Sequence, residues 1–134
     1  MNQFPCALEA LVVRTDFSSD AAWNAVREAL SSPNEDGFLP DVAFVDDRQY
    51  EGLTPDRILD LVPVEYQHPL VVLADSAALA STERPLLVVD LTAERCVRVV
   101  AAELWSIENN LSGANMDFHE FADAADGDGV FRGF

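Results

Sequence analysis

The chain contains no lysine, and its eight basic residues are all arginine. Against them stand 24 acidic residues, so the 134-residue chain has a net charge of −16. This excess of negative charge repels phosphate groups, which argues against direct binding of nucleic acid or of an anionic membrane. It favours a basic protein as partner, although an acidic, lysine-free composition also serves solubility alone.

Cysteine and histidine are scarce, with two residues of each type. Cys6 and Cys96 form neither a disulfide framework nor a metal-binding motif, and each lies beside an apolar run. We therefore predict that both are small buried side chains rather than nucleophiles. His68 precedes a proline at the entry to an apolar run, where we expect a structural role. No serine or cysteine has an evident histidine and acid to complete a catalytic triad.

Long apolar runs, signal sequences and phosphate loops are also absent. No run approaches the ~20 residues that cross a bilayer, and the N-terminus lacks a basic region followed by a cleavage site. The chain has no glycine-rich phosphate loop and no GxSxG turn. These absences predict a cytoplasmic protein and favour a binding module over an enzyme.

Five apolar segments are typical of β-strands: ALVVR within residues 8–15, then DVAFVDD, PLVVLADS, PLLVVDLT and CVRVVAAE. Most are continuous runs of leucine and β-branched residues, which indicates burial on both faces of a sheet covered by helices. The fifth alternates through Val97, Val99 and Ala101, which predicts a sheet edge paired antiparallel with the fourth strand.

Helical patterns separate these strands. Ser19 or Asp20 is expected to cap the first helix, and Thr54 followed by Pro55 to begin the second. The buried stripe of the second helix is predicted to contain Ile58, Leu59 and Val62. Two further helices, over residues 103–111 and from about residue 115 onward, close the chain.

This order of elements predicts the α/β class. We expect residues 1–134 to form a single three-layer α/β/α domain of about five strands, mostly parallel, with an antiparallel edge hairpin and two C-terminal helices. The segment DGDGVFRGF is expected to turn back over the body, because Phe131 and Phe134 are costly to leave in water.

The segment ENNLSGANMDF has two explanations. In the first, Gly113 takes the left-handed conformation that ends one helix and Asn115 caps the next, so the segment is a joint between helices. In the second, polar side chains line a groove that binds a peptide or a polar small molecule. That candidate binding set contains Asn109, Asn110, Asn115 and Asp117. The joint is favoured because asparagine is an ordinary turn residue.

Aspartates follow the predicted strands, at positions where parallel strands would bring them to one rim of the sheet. They are Asp16, Asp46, Asp47 and Asp75. Ligands of open parallel sheets bind at this rim, and carboxylates are the ligands that Mg²⁺ prefers. The favoured explanation is that these aspartates cap the following loops, because short motifs of this kind have low specificity for metal. Arg14 is expected to pair with a nearby carboxylate, or to hold an anionic ligand beside Asp16.

Four stretches carry a resemblance to a known family: RTDF, FVDD, ENNLSGANMDF and DGVFRGF. With them, nearly the whole chain resembles a family of short acidic actinobacterial proteins known only as a domain of unknown function. The resemblance implies one complete domain. It implies no activity and no catalytic residues.

Two functions remain open at this point. The first is a small cytoplasmic interaction module, such as an inhibitor or an immunity-like protein, that binds a basic protein and needs no cofactor. The alternative is a Mg²⁺-dependent enzyme that transfers phosphoryl groups or hydrolyses phosphoesters at the strand-end aspartates. The sequence leaves the oligomeric state undetermined.

Overall fold

The computed structural model describes residues 1–134 and contains six strands: β1 (Ala10–Arg14), β2 (Val42–Val45), β3 (Leu70–Ala74), β4 (Pro85–Asp90), β5 (Arg95–Val100) and β6 (Val130–Phe131). They form one sheet in the order β2-β1-β3-β4-β5-β6. β1 pairs in parallel with β2 and β3, and β5 pairs in parallel with β6. The β3–β4 and β4–β5 pairs are antiparallel. The predicted α/β class is confirmed.

Five α-helices connect and cover the strands: α1 (Asp20–Ser31), α2 (Ile58–Leu61), α3 (Ser76–Ala80), α4 (Leu104–Ser112) and α5 (Phe118–Asp123). The predicted start of α1 is confirmed, because the Ser19 hydroxyl accepts a hydrogen bond from the Ala22 N–H at 3.1 Å. Trp23, Val26 and Leu30 are the buried residues of this helix, as their spacing predicts.

Apolar cores lie on both faces of the sheet, as the continuous apolar strands require. Val12 and Val72 belong to the larger core, beneath α1, α3, α4 and α5. Their neighbours Leu11 and Val71 point to the other face and join the smaller core. The smaller core is closed by the N-terminal segment, by α2 and by the loops around it.

The prediction that β5 lies at a sheet edge is wrong, because β6 pairs with its outer side. Val130 lies opposite Arg98, and Phe131 opposite Val99. Two residues are too short a run to be recognised as a strand from the sequence. The predicted docking of the tail is confirmed for Phe131, which is fully buried. Phe134 contacts it at 5.0 Å between ring centroids but stays 76% exposed.

The second helix is shorter than predicted. A 3₁₀ turn spans Pro55–Arg57, and α2 adds a single α-helical turn. Ile58 and Leu61 are buried, whereas Leu59 is 48% exposed, so its predicted place in the buried stripe is wrong. The 3₁₀ turn has about three residues per turn, which rotates the following side chains away from the α-helical pattern.

The turn between α4 and α5 also differs in detail. Gly113 has a φ of −86°, and Ala114 is the left-handed residue, with a φ of +56°. The Asn115 N–H donates to the Asn110 carbonyl at 2.8 Å, so Asn115 closes the first helix instead of capping the second. Asp117 precedes α5, and its N–H donates to the Glu120 carboxylate at 2.8 Å.

The prediction that both cysteines are buried is wrong as well. Cys6 and Cys96 are both free and both exposed. Their apolar neighbours in sequence pack beneath them, while the cysteines themselves lie outside either core.

No helix of this domain combines the length and the apolar character that a membrane span requires.

Candidate functional site at the strand ends

The three parallel strands end at one rim of the sheet. β1 lies between β2 and β3, so the chain turns to opposite sides after β1 and after β2, and this creates a switch point between β1 and β3. A cavity of about 370 Å³ lies there. Thr15 and Asp16 line it from the end of β1, and Asp75 and Ser76 from the end of β3. The loop over residues 51–55 forms its outer wall.

Arg14, the last residue of β1, is held beneath this rim with only 4% of its surface exposed. Its guanidinium donates to Asp20 at 2.7 Å and to Asp46 at 3.3 Å. Its Nε donates to the backbone carbonyl of Asp16 at 3.1 Å. The Phe17 ring packs on the guanidinium, with 4.4 Å between the ring centroid and the Cζ atom of Arg14. The predicted pairing with a carboxylate is confirmed, and Arg14 is neutralised within the chain.

Asp75 is likewise paired. Its two carboxylate oxygens accept hydrogen bonds from the Arg98 guanidinium at 2.8 and 2.7 Å, and one also accepts from the Ala78 N–H at 3.1 Å. Burial alone would raise the pKa of Asp75, but these hydrogen bonds outweigh it and lower the pKa overall. Asp75 therefore caps α3 and ties it to β5.

Asp16 and Asp47 stabilise the loops that follow their strands. The Asp16 carboxylate accepts from the N–H and hydroxyl of Ser18 at 3.0 and 3.1 Å. Asp47 accepts from the side chain and backbone of Gln49, and both bonds lower the pKa of Asp47. The loop-capping explanation thus accounts for both residues.

The predicted Mg²⁺ site is not assembled. No group of three or more histidine, cysteine or acidic side chains is placed to hold a metal ion. Asp46 and Asp75 are bound to arginines, and only Asp16 and Asp75 share the cavity. The phosphoester alternative loses the geometry on which it depended, because Asp46 and Asp75 pair with arginines of the chain while Asp16 and Asp47 are hydrogen-bonded within their own loops.

The asparagine segment lies at the opposite end of the sheet, beside Pro69 and the β4–β5 turn. Asn109 donates to the Trp105 and Leu39 carbonyls at 2.6 and 3.3 Å, and Asn110 donates to the Ser106 carbonyl at 2.8 Å. These amides thus bind backbone carbonyls instead of lining a groove. Asn115 and Asp117 complete the turn, so this candidate set is separate from Arg14 and Asp16.

A model of the family called Domain of unknown function (DUF6924) matches residues 9–134. The chain belongs to this family. A search of curated proteins found no match to it. Membership agrees with the resemblance to a domain of unknown function and brings no activity with it.

This DUF6924 domain contains a buried hydrogen bond between a histidine and a glutamate that sequence reasoning missed. His68 Nε2 lies 3.1 Å from Glu108 Oε2, and the second Glu108 oxygen accepts from the Asp41 N–H at 2.6 Å. His68 Nδ1 accepts from the Leu70 N–H, so Nε2 carries the proton that it donates to Glu108. A signal existed, because Glu108 follows Leu104 by four residues and therefore lies on the buried face of α4.

The environment of Glu108 favours its ionised form. Burial alone would raise the pKa of Glu108, but hydrogen bonds from His68, Asp41 and Ser112 lower it overall. The pair joins α4 to the entries of β2 and β3, which identifies it as part of the framework and not of the strand-end site.

A second cavity, of about 460 Å³, lies beside Trp105 and Phe38, whose rings stack at 4.7 Å. Its lining is largely apolar, and its two charged residues are already engaged. Glu83 pairs with Arg132 at 2.8 Å, and Arg84 donates to the Leu79 carbonyl at 2.6 Å. The buried Nε1 of Trp105 has no hydrogen-bond partner. A single N–H donor indicates no particular chemistry, so the strand-end rim remains the candidate site.

Proposed function

We propose that this domain is a non-enzymatic binding module whose partner is a basic protein. The observation that supports the proposal is that most of its acidic residues are exposed and have no cationic partner within the chain. Six of the 24 acids form salt bridges with arginines of the chain, and Glu108 is hydrogen-bonded to His68. The others have no such partner, and most of them are exposed. A surface of this kind attracts cationic groups and speeds association with them.

The strand-end rim is the part of this surface best suited to a protein partner. Asp47 and Glu51 are exposed there without a salt bridge, next to the half-buried ring of Phe17. The guanidinium groups of Arg14 and Arg48 lie 4.4 and 5.1 Å from the centre of this ring. The rim thus offers a fixed aromatic side chain, a residue type that is enriched at protein interfaces, with exposed acids nearby that attract a basic partner. An inhibitor or an immunity-like protein would belong to this class.

We also place the module in the cytoplasm. Exposed unpaired thiols persist under reducing conditions, and both Cys6 and Cys96 are of this kind. The acidic surface agrees with a role in binding.

The proposal predicts binding that depends on the charges of the rim. We would titrate the domain with a peptide of about ten arginines at low salt and measure affinity by calorimetry. In the double variant Asp47→Asn, Glu51→Gln, affinity should fall by about tenfold, because two uncompensated acids are lost. The control is Glu65→Gln, Glu94→Gln, which removes equal charge from the opposite end of the sheet and should change affinity less than about twofold.

Two results would contradict the proposal. One is an affinity that stays constant from about 50 mM to about 500 mM salt, since an attraction between exposed charges must be screened. The other is an equal loss in the two double variants, which would mean that net charge alone attracts the peptide and that the rim has no special part.

A further inference from the structure

Strand β2 forms an open edge of the sheet, because its only neighbour is β1. The Ala10 N–H donates to the Asp41 carbonyl at 3.1 Å, and Ala10 lies opposite Val42. A parallel ladder uses alternate residues, so Ala43 and Val45 are the next residues that bond to β1. The N–H and C=O groups of Val42 and Phe44 therefore point away from the sheet, where no backbone or side-chain group meets them.

The opposite edge of the sheet is protected in a way that β2 is not. β6 has only two residues, and the next residue, Arg132, is bound by three carboxylates, those of Glu83, Asp126 and Asp128. Short strands and charged side chains are the usual means of preventing edge pairing. The sequence of β2 is VAFV, without charge or proline, and its first three side chains are only partly buried. β2 is the edge at which another strand can be added.

A second copy of the chain fits this edge poorly. In a symmetric antiparallel pair centred on Phe44, Asp41 of each copy would lie opposite Asp47 of the other. Like charges directly opposite each other in a sheet are destabilising. Each copy also carries a net charge of −16, which adds a long-range repulsion.

A basic segment fits the same edge well. Asp41 precedes β2, and Asp46 and Asp47 follow it, and all three are exposed. Asp41 and Asp46 are five residues apart, which corresponds to about 16 Å along an extended strand. An extended segment of six residues with a basic side chain at each end would span the same distance.

We infer that the outer edge of β2 binds an extended segment of the basic partner as an additional strand. The backbone of that segment bonds to the free N–H and C=O groups of Val42 and Phe44. Its terminal basic side chains meet Asp41 at one end and Asp46 and Asp47 at the other. This inference rests on the proposed function, and it adds a defined docking edge and a sequence pattern for the partner, basic at both ends with β-forming residues between.

The test uses the peptide Arg-Val-Thr-Val-Thr-Arg and two N-methylated forms of it, one modified at its second and fourth residues and one at its third and fifth. Both forms keep the charge, but only one of them keeps the N–H groups that face β2. One methylated peptide should bind about tenfold more weakly and the other within about twofold of the parent. Equal affinities of the two methylated peptides would overturn the inference and leave the charge-driven function intact.

Amide exchange of the complex gives a second readout that needs no variant. At saturation with the parent peptide, exchange at Val42 and Phe44 should slow by about tenfold or more, while Ala43 and Val45 change little. Absence of this alternation would overturn the inference.

A variant of the edge itself completes the experiment. Val42→Pro removes an outward N–H without touching the bonds to β1, and should reduce peptide affinity by about tenfold. Val42→Thr keeps the N–H and should bind normally. Thermal unfolding of both variants checks that the sheet is intact, and equal binding by two folded variants would contradict strand addition.

Discussion

At the scale of single residues, the charged side chains inside this domain are all held by specific partners. Glu108 is 3% exposed, yet it accepts hydrogen bonds from His68 and from the Asp41 backbone. Arg14 is equally enclosed between Asp20 and Asp46. A buried charge without such partners would cost several kcal/mol, so each of these contacts is required by the burial itself.

Replacing Glu108 tests this requirement. In Glu108→Gln the amide oxygen can still accept from the Asp41 N–H, but the amide N–H₂ faces the proton on His68 Nε2. The unsatisfied donors should lower the free energy of unfolding by about 1–3 kcal/mol, measured by urea denaturation. Glu94→Gln, at an exposed position without a salt bridge, should change it by less than about 0.5 kcal/mol.

The same variant should alter the dependence of stability on pH. The pKa of Glu108 is lowered in the folded state, so its contribution is present above the unfolded pKa and is lost as the pH falls through the folded value. The wild type should therefore lose more stability than Glu108→Gln on acidification below about pH 5. Parallel curves for the two proteins would show that Glu108 is not ionised in the fold.

At the scale of elements, the C-terminal tail converts a predicted sheet edge into an interior strand. β6 is short, but Phe131 inserts into the larger core, with its ring 5.2 Å from that of Phe121. Arg132 then binds Glu83, Asp126 and Asp128 on the outside. Burial of one aromatic side chain, and not the two-residue ladder, is what holds the tail in place.

Two phenylalanines of the tail form a matched pair for measuring how much the burial of one aromatic ring contributes to stability. Phe131→Ala removes a fully buried ring and should destabilise the fold by about 3–5 kcal/mol. Phe134→Ala removes a ring that is 76% exposed and should cost less than about 1 kcal/mol. Both are measured by chemical denaturation, and similar losses would mean that the tail is held by its end instead of by β6.

At the scale of the whole molecule, net charge opposes the compact state. With a charge of −16, the exposed acids repel one another, and salt screens this repulsion. The melting temperature at neutral pH should therefore rise by a few degrees when NaCl is raised from about 20 mM to about 500 mM. The rise should shrink near pH 5, closer to the isoelectric point of about 4.1. A melting temperature that falls with salt would mean that the six salt bridges between arginines and acids outweigh the repulsion.

The sequence by itself determined the layered α/β architecture of this protein. Continuous apolar runs such as LVVLA avoid contact with water only when both faces of the strand are buried. Ser19 begins α1 through a hydrogen bond to a residue three positions further along the chain. These outcomes depend on local hydrogen bonding and on periodicity, which are visible along the chain. The helix joint at the asparagines was predictable for the same reason, although Ala114, and not Gly113, takes the left-handed conformation.

Only the tertiary structure decided which charges meet. Asp75 pairs with Arg98, 23 positions away, because the fold brings the end of β3 close to β5. His68 pairs with Glu108, 40 positions away, because α4 packs beside the entry to β3. The same packing made β6 a strand and left β2 as the open edge. Contacts between residues distant in the chain depend on how the elements pack in three dimensions, and a pattern read along one chain carries no record of that arrangement.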